Sequence, residues 1–520
     1  MAKVEQRLAS VLDIMYQRAG LFSSRAALTT FRAGVWHDLS FEELRNAARQ
    51  LSNYLIDSGI ECGDKVAIIS ESGAEFGIVF FATVRAGAIL VPLDPKLSVD
   101  ELVPILNDCS PRLIFASTLS AQTASKAALL CSSAIDIIGI GSDSDLPNIN
   151  SVSLADDKIG HERRLDETAL VVYTSGSSGD AKGVMITFDN LIFQAERAEH
   201  LYQSSQQDVF LSILPMNHLF EFVVGFLGAL YAGSHICYLP SLFPDEIVQA
   251  IRAQNATYMV VVPAFLRLFK NTLERQSKGA AIDLQTILGS QFRGFICGGA
   301  PLSASVQAFF EERRVRVFLG YGMTEASPII TTNTHDEVRQ DSVGKPLPGV
   351  EVRIERDGEI CTRGRHVMQG YYNQPQWTST AIDSDGWLHT GDIGHFDGDG
   401  FLYITGRKKD LIVLPGGKKV QPEEVESILA TCSSVKEVCV LACRKADTDE
   451  EVVAVVVPSG ETFNETELQT ELSQIWLKLA AYKRPARTII WRAPLPRTHT
   501  MKLKRSEVQR MLSSCEVFTS

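Results

Sequence analysis

The sequence predicts an α/β protein with a large N-terminal domain, a small β-rich region and a compact α+β domain at the C-terminal end. Three observations predict it. Short apolar runs alternate with helical periodicity over roughly the first 170 residues and on through the middle of the chain, the pattern of a mostly parallel sheet covered by helices on both faces. From about Val350 the runs shorten, and Gly, Asp and Tyr become frequent. Beyond Gly406-Arg407-Lys408-Lys409-Asp410 helix and strand patterns resume over about a hundred residues, a usual domain size.

Taken in order, Ser40 opens a helix, with Glu43 three residues on as its capping-box partner. Val66–Ile69 and Ile89–Leu93 are short apolar strands. Ala169–Tyr173, Tyr258–Val262, Phe292–Cys297 and Val317–Leu319 read as buried strands. The span Phe222–Pro244 contains no Asp, Glu, Lys or Arg, and its length suits a membrane crossing of ~20 residues. Its glycines and two prolines interrupt it, so it reads as a buried helix followed by a buried strand, and no transmembrane segment is expected. Toward the C-terminus come a helix over Pro422–Cys432, strands around Val438–Ala442 and Val452–Val457, and a helix from about Glu465.

Composition narrows the function classes. The 520 residues carry a formal net charge of -12, with 45% hydrophobic and 22% charged residues. That argues against a nucleic-acid partner, which calls for a basic stripe, and leaves room for a polyphosphate bound by a local cluster of donors. The ten cysteines are scattered, the nearest spacing being Cys439 to Cys443 on a strand and its exit, and no C-x-x-C pair suggests a metal. They read as reduced, small hydrophobes. With no signal peptide evident at Met1-Ala2-Lys3-Val4, the expected location is cytoplasmic.

The sharpest local motif is Tyr173-Thr174-Ser175-Gly176-Ser177-Ser178-Gly179-Asp180-Ala181-Lys182-Gly183, between two strand patterns. Glycines let backbone N–H groups turn toward an anion, hydroxyls add donors, and Lys182 supplies a point charge suited to phosphate. The spacing is not that of a Walker loop.

This segment resembles the phosphate loop of the adenylate-forming (ANL) superfamily, which includes acyl-CoA synthetases, luciferases and peptide-synthetase adenylation domains. Further motifs follow in the family's order from Leu39 to Arg505. The resemblance implies two doubly wound sheets and a small β-rich subdomain in an N-terminal AMP-binding domain, residues 1–406. A mobile C-terminal domain, residues 407–520, would carry the catalytic lysine.

It also implies roles. Thr174, Ser175, Gly176, Ser177, Ser178, Gly179 and Lys182 would hold the ATP phosphates. Pro215-Met216-Asn217-His218-Leu219-Phe220-Glu221 resembles the substrate-gate segment, with His218 lining the acid pocket and Leu219 where amino-acid-activating relatives carry Asp. A substrate ammonium would be costly to bury there without a carboxylate, and His-x-Phe-Glu looks like the long-chain fatty acyl branch. Gly299, Ala300 and Pro301 resemble the adenine turn. Tyr321, Gly322, Met323, Thr324 and Glu325 match the motif in which Tyr321 stacks on adenine, Thr324 donates to the α-phosphate and Glu325 helps hold Mg2+. Asp392 and Arg407 would bind the ribose, and Lys409 would be the hinge. Lys502 falls on the catalytic lysine, although Met501 stands where the family usually has Gly, and Lys504 is the rival assignment.

The resemblance therefore implies an AMP-forming acyl-CoA ligase that uses ATP, Mg2+ and coenzyme A on a hydrophobic, fatty-type carboxylic acid. A second reading loads the acyl group onto the phosphopantetheine of an acyl carrier protein. A third, of another class, is a non-catalytic acyl or nucleotide binder. Peripheral membrane contact fits a fatty acid substrate, although the sequence shows no clear basic amphipathic helix.

Overall fold

The computed structural model describes residues 10–141, 163–175, 181–277, 281–414, 418–444, 450–460, 463–497 and 503–514. The chain folds as two compact units, Met1–Val352 with Thr362–Leu388, and Arg353–Cys361 with His389–Ser520.

The first unit is built on two large sheets. The seven-stranded sheet runs in the order Gly370–Tyr371, Ala181–Thr187, Thr168–Ser175, Ile89–Leu93, Lys65–Ile69, Leu113–Ser117, Asp136–Ile140. Its five strands from Thr168–Ser175 to Asp136–Ile140 are parallel, and the two at the other edge are antiparallel. Val66, Ala67, Ile68 and Ile69 are all buried, as expected of a parallel strand covered on both faces. The nine-stranded sheet has a parallel centre of Arg316–Gly322, Gly294–Cys297, Tyr258–Val261, Val209–Ser212 and His235–Tyr238, and continues through Ala26–Arg32. The mostly parallel α/β architecture is thus as the alternation predicts.

Local signals explain several elements. Ser40 caps Phe41–Asp57 in a full capping box: the Glu43 N–H donates to the Ser40 hydroxyl, and the Ser40 N–H donates to the Glu43 carboxylate at 2.8 Å. The span Phe222–Pro244 follows a buried π-helix, Glu221–Gly228, into a short helix, Ala229–Ala232, and the strand His235–Tyr238. Gly228 is required there, because a Cβ would lie 2.8 Å from that of Ala198 on the neighbouring helix Phe188–Tyr202. Among the described residues no helix is long and apolar enough to cross a membrane.

Most of the four-stranded sheet Glu351–Ile354, Glu359–Arg363, Leu388–Phe396, Leu402–Arg407 lies in the second unit. That unit also holds a three-stranded sheet, Val435–Arg444, Glu450–Pro458 and Arg487–Ile490, with helices Pro422–Leu429 and Glu465–Trp476. The helix expected to reach Cys432 ends at Leu429, and Cys443 lies within the strand of Cys439 rather than at its exit. The two units divide at 388/389, whereas the domain boundary expected from the sequence, 406/407, falls at the end of the strand Leu402–Arg407.

Candidate active site

In the first unit, the strands Thr168–Ser175 and Ala181–Thr187 form an antiparallel pair that brackets the phosphate motif. They are longer than the apolar runs alone indicate, and their register sets Thr174 opposite Lys182. Gly176, Ser177, Ser178 and Gly179 lie outside the described residues, as does the side chain of Ser175. Lys182 is half-buried, and its ammonium lies over two rings, 4.3 Å from the Trp377 centroid and 5.3 Å from that of Tyr371.

The next motif ends the strand Arg316–Gly322 and continues into a single helical turn, Thr324–Ala326. Tyr321 and Met323 are half-buried against the main core. Gly322 admits no side chain, since a Cβ would fall 1.8 Å from the Pro328 carbonyl oxygen. The Glu325 carbonyl accepts from the Met368 N–H at 2.9 Å, and its Oε1 accepts from the Tyr371 hydroxyl at 2.8 Å. Burial pushes the Tyr371 phenol well above its ordinary pKa, and the Glu325 charge adds to this, so the hydroxyl remains a donor. Among the described residues Glu325 has no ion pair. A half-exposed carboxylate with no cation on it fits a hard divalent ion bound mainly through phosphate oxygens.

Gly299 turns the chain after the strand Gly294–Cys297 at φ +88°, a conformation suited to glycine, with Ala300 half-buried and Pro301 exposed. Beside it the Phe220 ring closes over Gly298, where a Cβ would meet it at 3.2 Å. In the gate segment His218 is half-buried and Leu219 buried. Glu221 is fully buried, accepting from the Ser212 hydroxyl at 2.6 Å, and burial pushes its pKa up to about 8. The gate, the adenine turn and the Tyr321–Glu325 motif follow or end strands of the parallel part of the nine-stranded sheet, where α/β sheets commonly bind ligands.

In the second unit, Asp392 and Arg407 face each other across antiparallel strands, with Arg407 Nε 2.9 Å from Asp392 Oδ1. Asp392 is buried, and Arg407 remains 43% exposed, free enough to meet a ligand. The Asp392 N–H donates to Thr390 Oγ1 at 3.1 Å, and the Thr390 hydroxyl donates to the Ile360 carbonyl at 2.7 Å. Gly391, at φ +70°, donates its N–H to Glu359 Oε1 at 3.0 Å. Lys408 reaches Glu359 at 2.8 Å and Asp357 at 2.7 Å. Burial alone would raise the Glu359 carboxyl, but hydrogen bonds from Lys408 and His389 outweigh it and hold its pKa below the usual value. Lys409 is exposed in the turn Lys408–Asp410.

Lys502 and Met501 lie outside the described residues. Their flanks are anchored: Arg497 and Leu503 form an isolated antiparallel bridge, and Arg497 pairs with Glu437 at 2.8 Å. Arg505 pairs with Glu423 and Glu426, both at 2.6 Å. Lys504 is partly exposed beside Glu507, at 3.6 Å. The supporting residues Tyr371, Trp377 and Glu359 went unnoticed in the sequence, and Lys408 was seen only as part of the charged run Gly406–Asp410.

A family profile described as AMP-binding enzyme matches residues 16–372, and one described as AMP-binding enzyme C-terminal domain matches residues 424–502. The medium-chain fatty-acid–CoA ligase of Escherichia coli (strain K12) is 30% identical, over 98% of this chain and 92% of its own. An oxalate–CoA ligase of Arabidopsis thaliana is also 30% identical, over 88% and 90%. The crystal structure of ATP-bound MatB from Rhodopseudomonas palustris superposes with a TM-score of 0.84 at 28% identity, covering 98% of this chain and all of that one. The chain belongs to the AMP-binding enzyme family, the adenylate-forming fold that its motifs resemble. Within that family it is an AMP-forming acid–CoA ligase, which uses ATP and coenzyme A.

Proposed function

We propose that the protein activates a hydrophobic, fatty-type carboxylic acid. The substrate carboxylate attacks the α-phosphorus of ATP, forming an acyl-adenylate and releasing pyrophosphate. The coenzyme A thiol then attacks the acyl carbonyl, and AMP leaves. The observation that carries the choice of acid is the gate: buried Leu219 and the Phe220 ring against Gly298 offer apolar surface and no carboxylate for a substrate ammonium. The relatives' acids range from medium-chain fatty acids to oxalate, so chain length stays open to measurement.

The residues divide the work as positioning and charge neutralisation. Thr174, Ser175, Gly176, Ser177, Ser178, Gly179 and Lys182 hold the phosphates, and Thr324 donates to the α-phosphate. Gly299, Ala300, Pro301, Tyr321, Gly322 and Met323 hold the adenine, while Asp392 and Arg407 hold the ribose. His218 lines the acid pocket. Lys502 bridges the carboxylate and α-phosphate oxygens, and Lys409 is the hinge on which residues 407–520 turn between the two steps. When bound, Mg2+ at Glu325 would supply positive charge to the phosphate oxygens.

The test is incubation with ATP, Mg2+, coenzyme A and acids from acetate to palmitate, with aryl and amino acids included, and product identification by mass spectrometry. Acyl-CoA and AMP from a subset of fatty acids support the reading. Acyl-AMP without acyl-CoA points to a carrier-protein acceptor, and turnover restricted to oxalate or aryl acids overturns the choice of substrate. ATP binding with no turnover of any acid points to a binder.

A further inference from the structure

Lys182 is the lysine of the phosphate motif, and it is held by rings. A surface lysine ordinarily leaves its ammonium in water and loses up to ~2 kcal/mol of side-chain freedom when a ligand fixes it. Here two aromatic rings meet at 89°, Tyr371 at the end of the edge strand Gly370–Tyr371 and Trp377 on the helix Pro375–Ala381, and the ammonium sits by both. The corner is itself fixed. The Tyr371 N–H donates to Thr378 Oγ1 at 2.9 Å, and the Tyr371 hydroxyl donates to Glu325, next to Thr324. Gly370 lets the helix come this close, since a Cβ would lie 2.7 Å from Thr378 Cγ2. Pairing of Gly370–Tyr371 with Met185 and Val184 ties the corner to the strand that carries Lys182.

We propose that Tyr371 and Trp377 form an aromatic dock that positions the Lys182 ammonium for the ATP phosphates before the nucleotide arrives. Trp377 and Tyr371 are thereby positioning residues, acting through Lys182. The dock has a physical advantage over a carboxylate partner. A ring face attracts an ammonium without neutralising it, so the full charge stays available to phosphate. Fixing the lysine in advance removes part of the ordering cost of binding.

The inference rests on the reading of Lys182 as a phosphate ligand, and a double-mutant cycle separates the two. ATP affinity is measured by calorimetry on the full chain with Mg2+ and no acid, in the wild type, Trp377→Leu, Lys182→Met and the double variant. Trp377→Leu is expected to weaken ATP about five- to tenfold, the weight of a partly shielded cation–π contact. Trp377→Phe is expected to restore most of that. In the Lys182→Met background Trp377→Leu should add nothing, because its effect runs through the lysine. An equal loss in both backgrounds overturns the dock, since it marks a merely structural tryptophan. Unchanged affinity in Trp377→Leu, with Lys182→Met weakened, overturns it as well. Unchanged affinity in Lys182→Met removes the phosphate reading itself. Trp377→Met, which keeps bulk and loses the ring, gives the same readout if the leucine variant does not fold.

Discussion

Asp392 and Glu325, the two carboxylates proposed for the nucleotide, are held in opposite ways. Asp392 is buried and ion-paired with Arg407 at 2.9 Å. Glu325 is half-exposed, with a tyrosine hydroxyl on one oxygen and no ion pair among the described residues. The proposed phosphate lysine, Lys182, rests on rings. The difference follows the ligand's chemistry. Ribose hydroxyls are neutral, so an already satisfied ion pair can still accept and donate to them. Phosphates bring charge, and groups meant for them or for their metal keep more of their own if it is not already spent on a protein partner.

Breaking the paired side is expected to have the largest effect. Asp392→Ala removes one member of a hydrogen-bonded charge pair and should cost ~10²-fold or more in kcat/KM for ATP. Because ribose is present in both ATP and the acyl-adenylate, thioester formation from added acyl-AMP should fall too. Lys182→Met should lower the adenylation rate by about 10- to 100-fold and leave thioester formation from acyl-AMP nearly intact. Equal damage to both steps would erase the contrast. Lys502→Ala should likewise affect adenylation selectively, which half-reaction assays would read.

Glu221 extends the comparison to a carboxyl with neither an ion pair nor a ring among the described residues. Its pKa is raised by burial to about 8 from 4.5, so the folded state holds a proton that the unfolded state releases. Its neutral form is comfortable in the fold, and stability is lost as pH rises from about 4.5 to about 8. Glu221→Gln should therefore gain about 4 kcal/mol over the wild type at pH 9 relative to pH 5, read from urea unfolding midpoints. A constant difference across that range would mean that Glu221 is charged in the fold. The smallest effect is expected at Lys408, half-exposed between Asp357 and Glu359. Lys408→Met should cost about 0.2–1 kcal/mol of stability, and less at high salt.

Much of this was legible in the chain. The Ser40 capping box, the parallel strands and the helix-then-strand reading of Phe222–Pro244 follow from local signals, because caps and apolar periodicity act over a few residues. The motifs from Thr174 to Arg407 were visible as strings. What they rest on was not. Tyr371 meets Glu325 across 46 positions, Lys182 meets Trp377 across 195, and Lys408 meets Glu359 across 49.

By itself the sequence determined which residue types the chemistry requires and in what order they come. It also set the alternation that builds two sheets, since hydrophobic period and turn chemistry are local properties. Only the tertiary structure decided which of those residues would be paired, ring-held or buried and neutral, since a side chain's charge and freedom depend on neighbours that the fold brings in from elsewhere in the chain.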